Sequence, residues 1–526
     1  PVLRYDHPGS GDSGDVDDPD TWLPAVEAAV HEAADALRRL GGAARLVLLG
    51  LRMGALLAAR AAAGRDDVAA LVGLLPVASG RAWLRECRLL DGRSIATAVV
   101  RADPAEGVDL GGLALGPGPA QALAALEWPP GEAAGAAAVL LVERDDLPGR
   151  LADALGRGGQ AVEVLRLPSL DRVIAVAHLS HTPDALFDEV TAWVVRRLPA
   201  REPAAAPVSP PSVGTPSVRL GGVTESLVHL RRSPALVAVL SASLAERDAA
   251  PARRGVVLLS SGAERRVGPN RLWVPFARAR AARGDVVLRL DMGGIGDSDA
   301  RATGHDGEVY DRRCVDDVAE AVAWLRREHG VGPCLVAGVC SGGYHAWRAA
   351  LGTVDCTAVV AINPLVFHWR EGMSLDPSAH AFGRVAVASG AMRSLRDPKR
   401  WLKLLRGQAN LGVIASALTG RARDALTRQR RRLGRGIGRP RPDDLAADLR
   451  QAVHRGVRPC FVFADHEPGL HLLAEEGGTV FRQLQRRGQV EVHHLPGADH
   501  TLSHLAARRA LWQRLDELID RLDTAP

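Results

Sequence analysis

The strongest chemical signal in the chain is the run Gly338-Val339-Cys340-Ser341-Gly342. A buried strand (Leu335 to Ala337) leads into it and a small-residue helix start follows. A nucleophile at the apex of so tight a strand-to-helix turn needs small residues two before and two after it, because larger side chains would clash there. Gly338 and Gly342 flank Cys340 in that way, whereas centring the turn on Ser341 puts the β-branched Val339 where glycine is wanted. Spacing therefore favours Cys340 as the nucleophile, with a shifted turn presenting Ser341 as the alternative. A thiol beside an imidazole and a helix N-terminus ionises more readily than a free one, and the thiolate attacks esters and thioesters.

The partners follow downstream. His500 lies in a loop between the strand-like "VEVHHL" and a terminal amphipathic helix, where an imidazole can reach the turn. His493 and His494 in that strand, and His504 on the helix, read as structural. An acid holding the histidine tautomer should follow the strand in "PCFVFADHEPG", where Asp465 and Glu467 both qualify. An oxyanion hole would combine the Ser341 N–H with one from "SSGAERRVGPNR", either Gly262 or Ala263.

These residues need a scaffold, and the chain shows one twice. "VLRYDHPGSGDSGD" at 2–15 repeats as "VLRLDMGGIGDSDA" at 287–300, each a strand ending in aspartate (Asp6, Asp291) before a glycine-rich loop. "LVLLGLRMGA" at 46–55 repeats in turn as "CLVAGVCSGG" at 334–343. Strands alternating with helices in this order predict a parallel sheet covered on both faces. In the first half the turn frame survives as Gly50-Leu51-Arg52-Met53-Gly54, but its apex is Arg52, whose guanidinium stays protonated and cannot act as a nucleophile. His178, His181, Asp145 and Asp146 read as relics of a triad, and Arg52 as satisfied by a nearby carboxylate or holding an anionic group.

At 526 residues the chain exceeds one ordinary core. Three segments are expected: a degenerate and N-terminally truncated α/β domain over 1–198, a Pro/Ala-rich linker over 199–217, and a complete α/β domain over 218–526. An insertion at about 368–455 reads as a helical cap over the site, the usual home of substrate selection. The net charge of +5 is almost all arginine, since Lys399 and Lys403 are the only lysines. Even the arginine-rich run from Arg428 to Arg441 lacks stacking aromatics, so no nucleic-acid partner is expected. The six cysteines are scattered without metal-like spacing, which suits a reducing cytoplasm and calls for no metal. The most apolar window is broken by Arg52 and Arg60, so no transmembrane segment is predicted.

In its motifs the chain resembles the α/β-hydrolase superfamily, particularly the serine-aminopeptidase-like branch and the paired hydrolases of exosortase systems. "VGPNRLWVPFARARAARGDVVLRLDMGGIGDS" and "GVCSGG" look like one such member; "LRYDHPGSGDS", "GLRMGA" and "PVASGRAWLRE" look like the other. The resemblance implies two tandem α/β-hydrolase-type domains with mostly parallel sheets. Dienelactone-hydrolase-like relatives carry a cysteine at this turn, which implies roles for Cys340, His500 and Glu467 or Asp465. The expectation is an acyl hydrolase or acyltransferase that needs no cofactor. Its substrate would be a small-molecule or acyl-carrier-type ester or thioester. A serine hydrolase using Ser341, or a non-catalytic scaffold with two degenerate turns, are the alternatives.

Overall fold

Val, Leu, Ile and Ala fill the runs that the pattern marks as strands, and a run apolar on both alternating faces is stable only where helices cover both sides of a sheet. The computed structural model follows that logic. It describes residues 1–16, 18–90, 101–103, 107–109, 114–129, 138–147, 149–174, 180–198, 216–244, 254–301, 307–370, 373, 429 and 443–524. Most of the expected linker and most of the expected cap lie outside the described residues. The chain divides into two compact units. One comprises Pro1–Val228, Val267–Ala279 and Thr501–Trp512; the other comprises His229–Arg266, Arg280–His500 and Gln513–Pro526.

In the first unit a four-stranded sheet runs in the order β1-β2-β6-β7, from β1 (Leu46–Leu51), β2 (Val68–Leu74), β6 (Ala138–Arg144) and β7 (Val162–Leu167). All neighbours in it are parallel. β3 (Arg101–Asp103), β4 (Gly107–Asp109) and β5 (Ala114–Leu115) form a small antiparallel sheet. The helices are α1 (Trp22–Gly41), α2 (Met53–Ala63), α3 (Gly80–Leu90), α4 (Pro117–Ala124), α5 (Arg150–Arg157) and α6 (Asp184–Arg197). β2 is buried along its whole length, whereas the edge strand β1 exposes Leu49 and Leu51.

A larger sheet of nine strands is built from β8 (Ser217–Leu220), β9 (Val223–Arg232), β10 (Ala235–Ser243), β11 (Gly255–Leu259), β12 (Val286–Leu290), β13 (Cys334–Val339), β14 (Ala358–Ile362), β15 (Arg458–Ala464) and β16 (Glu491–Leu495). Its order is β16-β15-β14-β13-β11-β12-β10-β9-β8. Strands β11 to β16 are parallel, and β10 meets β12 antiparallel. Every residue of β11, β12, β13 and β14 is buried. The accompanying helices are α7 (Trp273–Ala282), α8 (Cys314–His329), α9 (Ser341–Leu351), α10 (Leu445–His454), α11 (Pro468–Arg486) and α12 (Leu505–Asp520). α10 falls within the stretch expected to be cap, yet it buries Leu445, Ala446, Leu449 and Ala452 as a helix covering the sheet does.

The two aspartate loops close by the same hydrogen bonds. In the first, Asp12 N–H donates to Asp6 Oδ2 (3.0 Å) and Ser13 Oγ–H to the Asp6 carbonyl (2.6 Å). In the second, Asp297 N–H donates to Asp291 Oδ2 (3.1 Å) and Ser298 Oγ–H to the Asp291 carbonyl (2.7 Å). Gly11 and Gly296 have positive φ, and a Cβ on either would lie 2.1 or 2.4 Å from that aspartate. Only glycine fits there, which explains why the repeat keeps it at both places.

Candidate active site

The turn after β13 is strained where the sequence places its apex. Cys340 has φ 55° and ψ −114°, with its N–H donated to the Ile362 carbonyl (2.9 Å). Glycine on either side makes this possible. A Cβ on Gly338 would meet Gly342 carbon at 2.3 Å, and one on Gly342 would meet the Ser260 carbonyl at 2.3 Å. Register brings the second obstruction into place, since Leu259 at the end of β11 pairs with Gly338. A non-glycine residue held at positive φ costs energy and persists only where its surroundings impose it. Cys340 is partly exposed, while the other five cysteines are buried.

Of the two acids considered, it is Glu467 that meets His500. His500 Nδ1 lies 2.9 Å from Glu467 Oε1. That contact leaves Nε2 as the nitrogen available to a nucleophile. Burial would pull the imidazole down. The neighbouring Cys340, through charge and hydrogen bonding, and Glu467 likewise, instead hold it well above the usual histidine value. Asp465 does not reach this histidine pair: its oxygens take the Gly497 N–H (2.6 Å) and face His494 Nε2 (3.0 Å). His493 pairs with Glu491.

Ser341 is buried, and its Oγ accepts the Gly262 N–H at 2.8 Å. Of the two loop residues named for the oxyanion hole, Gly262 therefore already donates to a side chain. Ala263 packs against the cluster of Val309, Tyr310, Tyr344 and Val366. Ser341 opens α9, so its own N–H belongs to the first-turn donors that have no intrahelical acceptor.

Sequence reasoning missed two residues. Asn363, fully buried at φ 46°, donates from Nδ2 to the His500 carbonyl (2.8 Å) and accepts the Ala464 N–H (2.8 Å). It thereby ties the histidine loop to the ends of β14 and β15. Its signal was available: asparagine tolerates positive φ, and Asn363 sits at a strand end before Pro364. Tyr310 is the other. It stacks on Trp369, and burial, with Cys340 and Tyr344 adding to it, pushes its pKa well above the ordinary tyrosine value. Nothing in the local pattern of "GEVYDRR" marks it, because its ring partners Tyr344 and Trp369 stand far along the chain.

At the first-half turn Arg52 adopts φ 55° and ψ −120°, almost the backbone of Cys340. Its guanidinium pairs with Glu86 and donates to the Leu75 carbonyl (3.2 Å). His181 is exposed, His178 lies outside the described residues, and Asp146 is paired on the surface with Arg144. Among the described residues no group of three or more His, Cys, Asp or Glu could hold a metal ion, and no helix is long and apolar enough to cross a membrane.

A family model described as the alpha/beta hydrolase fold matches residues 257–382. Solved structures similar to this chain include a dienelactone hydrolase from Anabaena variabilis, 13% identical, covering 56% of this chain and 96% of that one with a TM-score of 0.33. An alpha/beta hydrolase from Penicillium sp. is 16% identical over 58% of this chain and 98% of its own, with a TM-score of 0.32. An esterase of Pyrococcus furiosus is 13% identical over 60% and 95%, again with a TM-score of 0.32. No curated protein matches the chain. At such scores these likenesses decide nothing about the site, and the fold assignment rests on the sheet order and the family match. With its parallel strands, its strained turn after β13 and the match over 257–382, this chain carries an alpha/beta hydrolase fold.

Proposed function

We propose that the protein is an acyl hydrolase or acyltransferase that works through a thioester on Cys340. The observation that carries this reading is the apical position of Cys340 at φ 55° with the His500–Glu467 pair bearing on it. Cys340 Sγ attacks the acyl carbonyl, and the carbonyl π pair moves onto oxygen. His500, holding the thiol proton, then passes it to the departing alkoxide or thiolate, leaving an S-acyl cysteine. Water or an acceptor alcohol, amine or thiol next gives its proton to His500 and attacks the thioester, releasing the acyl product and restoring Cys340. Glu467 holds the imidazole in the tautomer this needs and stabilises the imidazolium that forms.

The substrate class is an ester or thioester, either a small molecule or an acyl group borne on a carrier. Six free thiols fit a reducing compartment. We read the first half as a degenerate copy of the second. Its support is the repeated aspartate loop and the near-identical turn backbone at Arg52 and Cys340. Burial of Ser341 and its engagement by Gly262 weigh against the serine reading.

The test is covalent labelling. Incubation with a p-nitrophenyl ester, acid trapping and peptide mass spectrometry should find the acyl group on Cys340, and iodoacetamide given beforehand should prevent it. An acyl group on Ser341, or acylation undisturbed by alkylation of Cys340, would overturn the proposal.

A further inference from the structure

His500 stands in a loop between β16 and α12, so its bond to Glu467 orients the ring but leaves the backbone beneath it to be fixed by something else. The end of β14 supplies that. Asn363 Nδ2 donates to the His500 carbonyl (2.8 Å), and Asn363 Oδ1 accepts the N–H of Ala464 (2.8 Å), three residues before Glu467. A carbonyl cannot donate and an N–H cannot accept, so these two partners dictate which way the amide faces. We propose, resting on the acyl-transfer reading above, that Asn363 is a positioning residue that sets His500 where proton transfer with Cys340 requires it.

The neighbours of Asn363 reach the other two parts of the site. The Ile362 carbonyl accepts the Cys340 N–H (2.9 Å), and a Cβ on Gly343 would lie 2.9 Å from that same oxygen. The Pro364 carbonyl presses on the first turn of α11, just beyond Glu467, where a Cβ on Gly469 would lie 2.2 Å from it. Three consecutive residues thus touch the turn of the nucleophile, the loop of the histidine and the helix start of the acid. The backbone itself does not call for asparagine. In the first half Leu75 holds the same conformation (φ 44° against 46°), with its N–H on the Val142 carbonyl (2.8 Å) as that of Asn363 is on Val462 (2.9 Å). What asparagine adds is a donor and an acceptor on one planar group in a fully buried place. An ionised aspartate has no donor, leucine has neither, and glutamine would need room for another methylene. Without the amide the histidine backbone is free to drift, and small misplacements of a reacting group lower turnover steeply.

The test compares wild type with Asn363→Gly, which keeps the left-handed backbone without strain and removes only the side chain. Two readouts are taken well below the Tm of each protein: kcat and KM for a p-nitrophenyl ester, and the pH profile of Cys340 alkylation by iodoacetamide. The kcat should fall about 100-fold with KM within about threefold, and the alkylation midpoint should rise by about one pH unit as the thiol loses its imidazole partner. Asn363→Leu, which installs the residue that the first half carries at this turn, should do the same, and it decides the matter if the glycine variant does not fold. A lower Tm with kcat and the alkylation midpoint unchanged would mean that the amide only braces the fold, and a rise in KM alone would place it in substrate binding; either result overturns the proposal. Failure of the acyl-transfer reading would show differently, as no acyl group on Cys340 in the wild type, and the alkylation midpoint would still report whether Asn363 holds the histidine.

Discussion

The turns at Cys340 and Arg52 share a backbone and differ in what surrounds it. Both apices have φ 55° and nearly equal ψ, and each gives its N–H to the end of the neighbouring strand, at Ile362 or Leu74 (2.9 Å in both). The first small residue is equally necessary in each: a Cβ on Gly50 would lie 2.2 Å from the Gly54 carbonyl oxygen, much as one on Gly338 would strike Gly342. The second differs. Gly342 is hemmed in by Leu259 and Ser260, whereas a Cβ on Gly54 would meet nothing within 4 Å. After the next strand, Asn363 (φ 46°) brackets the His500 loop, while the corresponding Leu75 (φ 44°) repeats the backbone without a polar side chain to do so. A strained turn is therefore a property of local chain geometry, but a reactive one also needs the strand, loop and histidine that the rest of the sheet delivers to it.

The largest effect should come from the apex. Cys340→Ala should cut acyl turnover by a factor on the order of 10⁴–10⁶, while Ser341→Ala should cost less than about tenfold. Steady-state rates of the purified variants check the ranking, and the reverse order would move the nucleophile to Ser341.

Next is the acid. Glu467→Gln should lower kcat on the order of 10²–10⁴, with Asp465→Asn far milder because its contacts are Gly497 and His494. A pH series adds a signed test. His500 is raised by its partners, so the stability it contributes is present at acid and neutral pH and fades as pH climbs through that raised value. The gap in denaturation midpoint between wild type and Glu467→Gln should accordingly narrow toward alkaline pH. A gap that widened would contradict a protonated His500 on Glu467.

Smaller still is the contrast in glycines. Gly342→Ala should destabilise by about 1–3 kcal/mol through overpacking against Ser260. Gly54→Ala, in helical backbone with open space around it, should be neutral or stabilise by about 0.4–1 kcal/mol. Denaturant midpoints of the two variants measure the difference, and equal losses would mean that the two turns are enclosed alike. The smallest change is expected from Arg52→Ser, which should produce no ester cleavage attributable to Ser at that turn. No histidine among the described residues is held there as His500 is held, and the substitution removes the pair with Glu86 and the bond to the Leu75 carbonyl. Activity of Arg52→Ser combined with Cys340→Ala reads this directly.

Much of this was legible in the sequence, and for a definite reason. Glycine at positions 338 and 342, and at 11 and 296, answers to sterics within a few residues, so the strained turn and the aspartate loops show up as local patterns. The alternation of fully apolar runs with amphipathic ones likewise announced a parallel sheet. Which acid meets His500 was not decidable that way, because Asp465 and Glu467 stand two residues apart and the choice depends on where the chain runs after β15. Neither Asn363, which reaches His500 across 137 positions, nor Tyr310, buried and stacked on Trp369, left more than a faint trace. The capture of the Gly262 N–H by Ser341 is of the same kind. By itself the sequence determined the turn and its apical cysteine, since backbone sterics act between neighbours. Which of the candidate acids meets His500, and what ties its loop in place, was decided only by tertiary structure, because burial and hydrogen bonding act between groups that the sheet alone brings within reach.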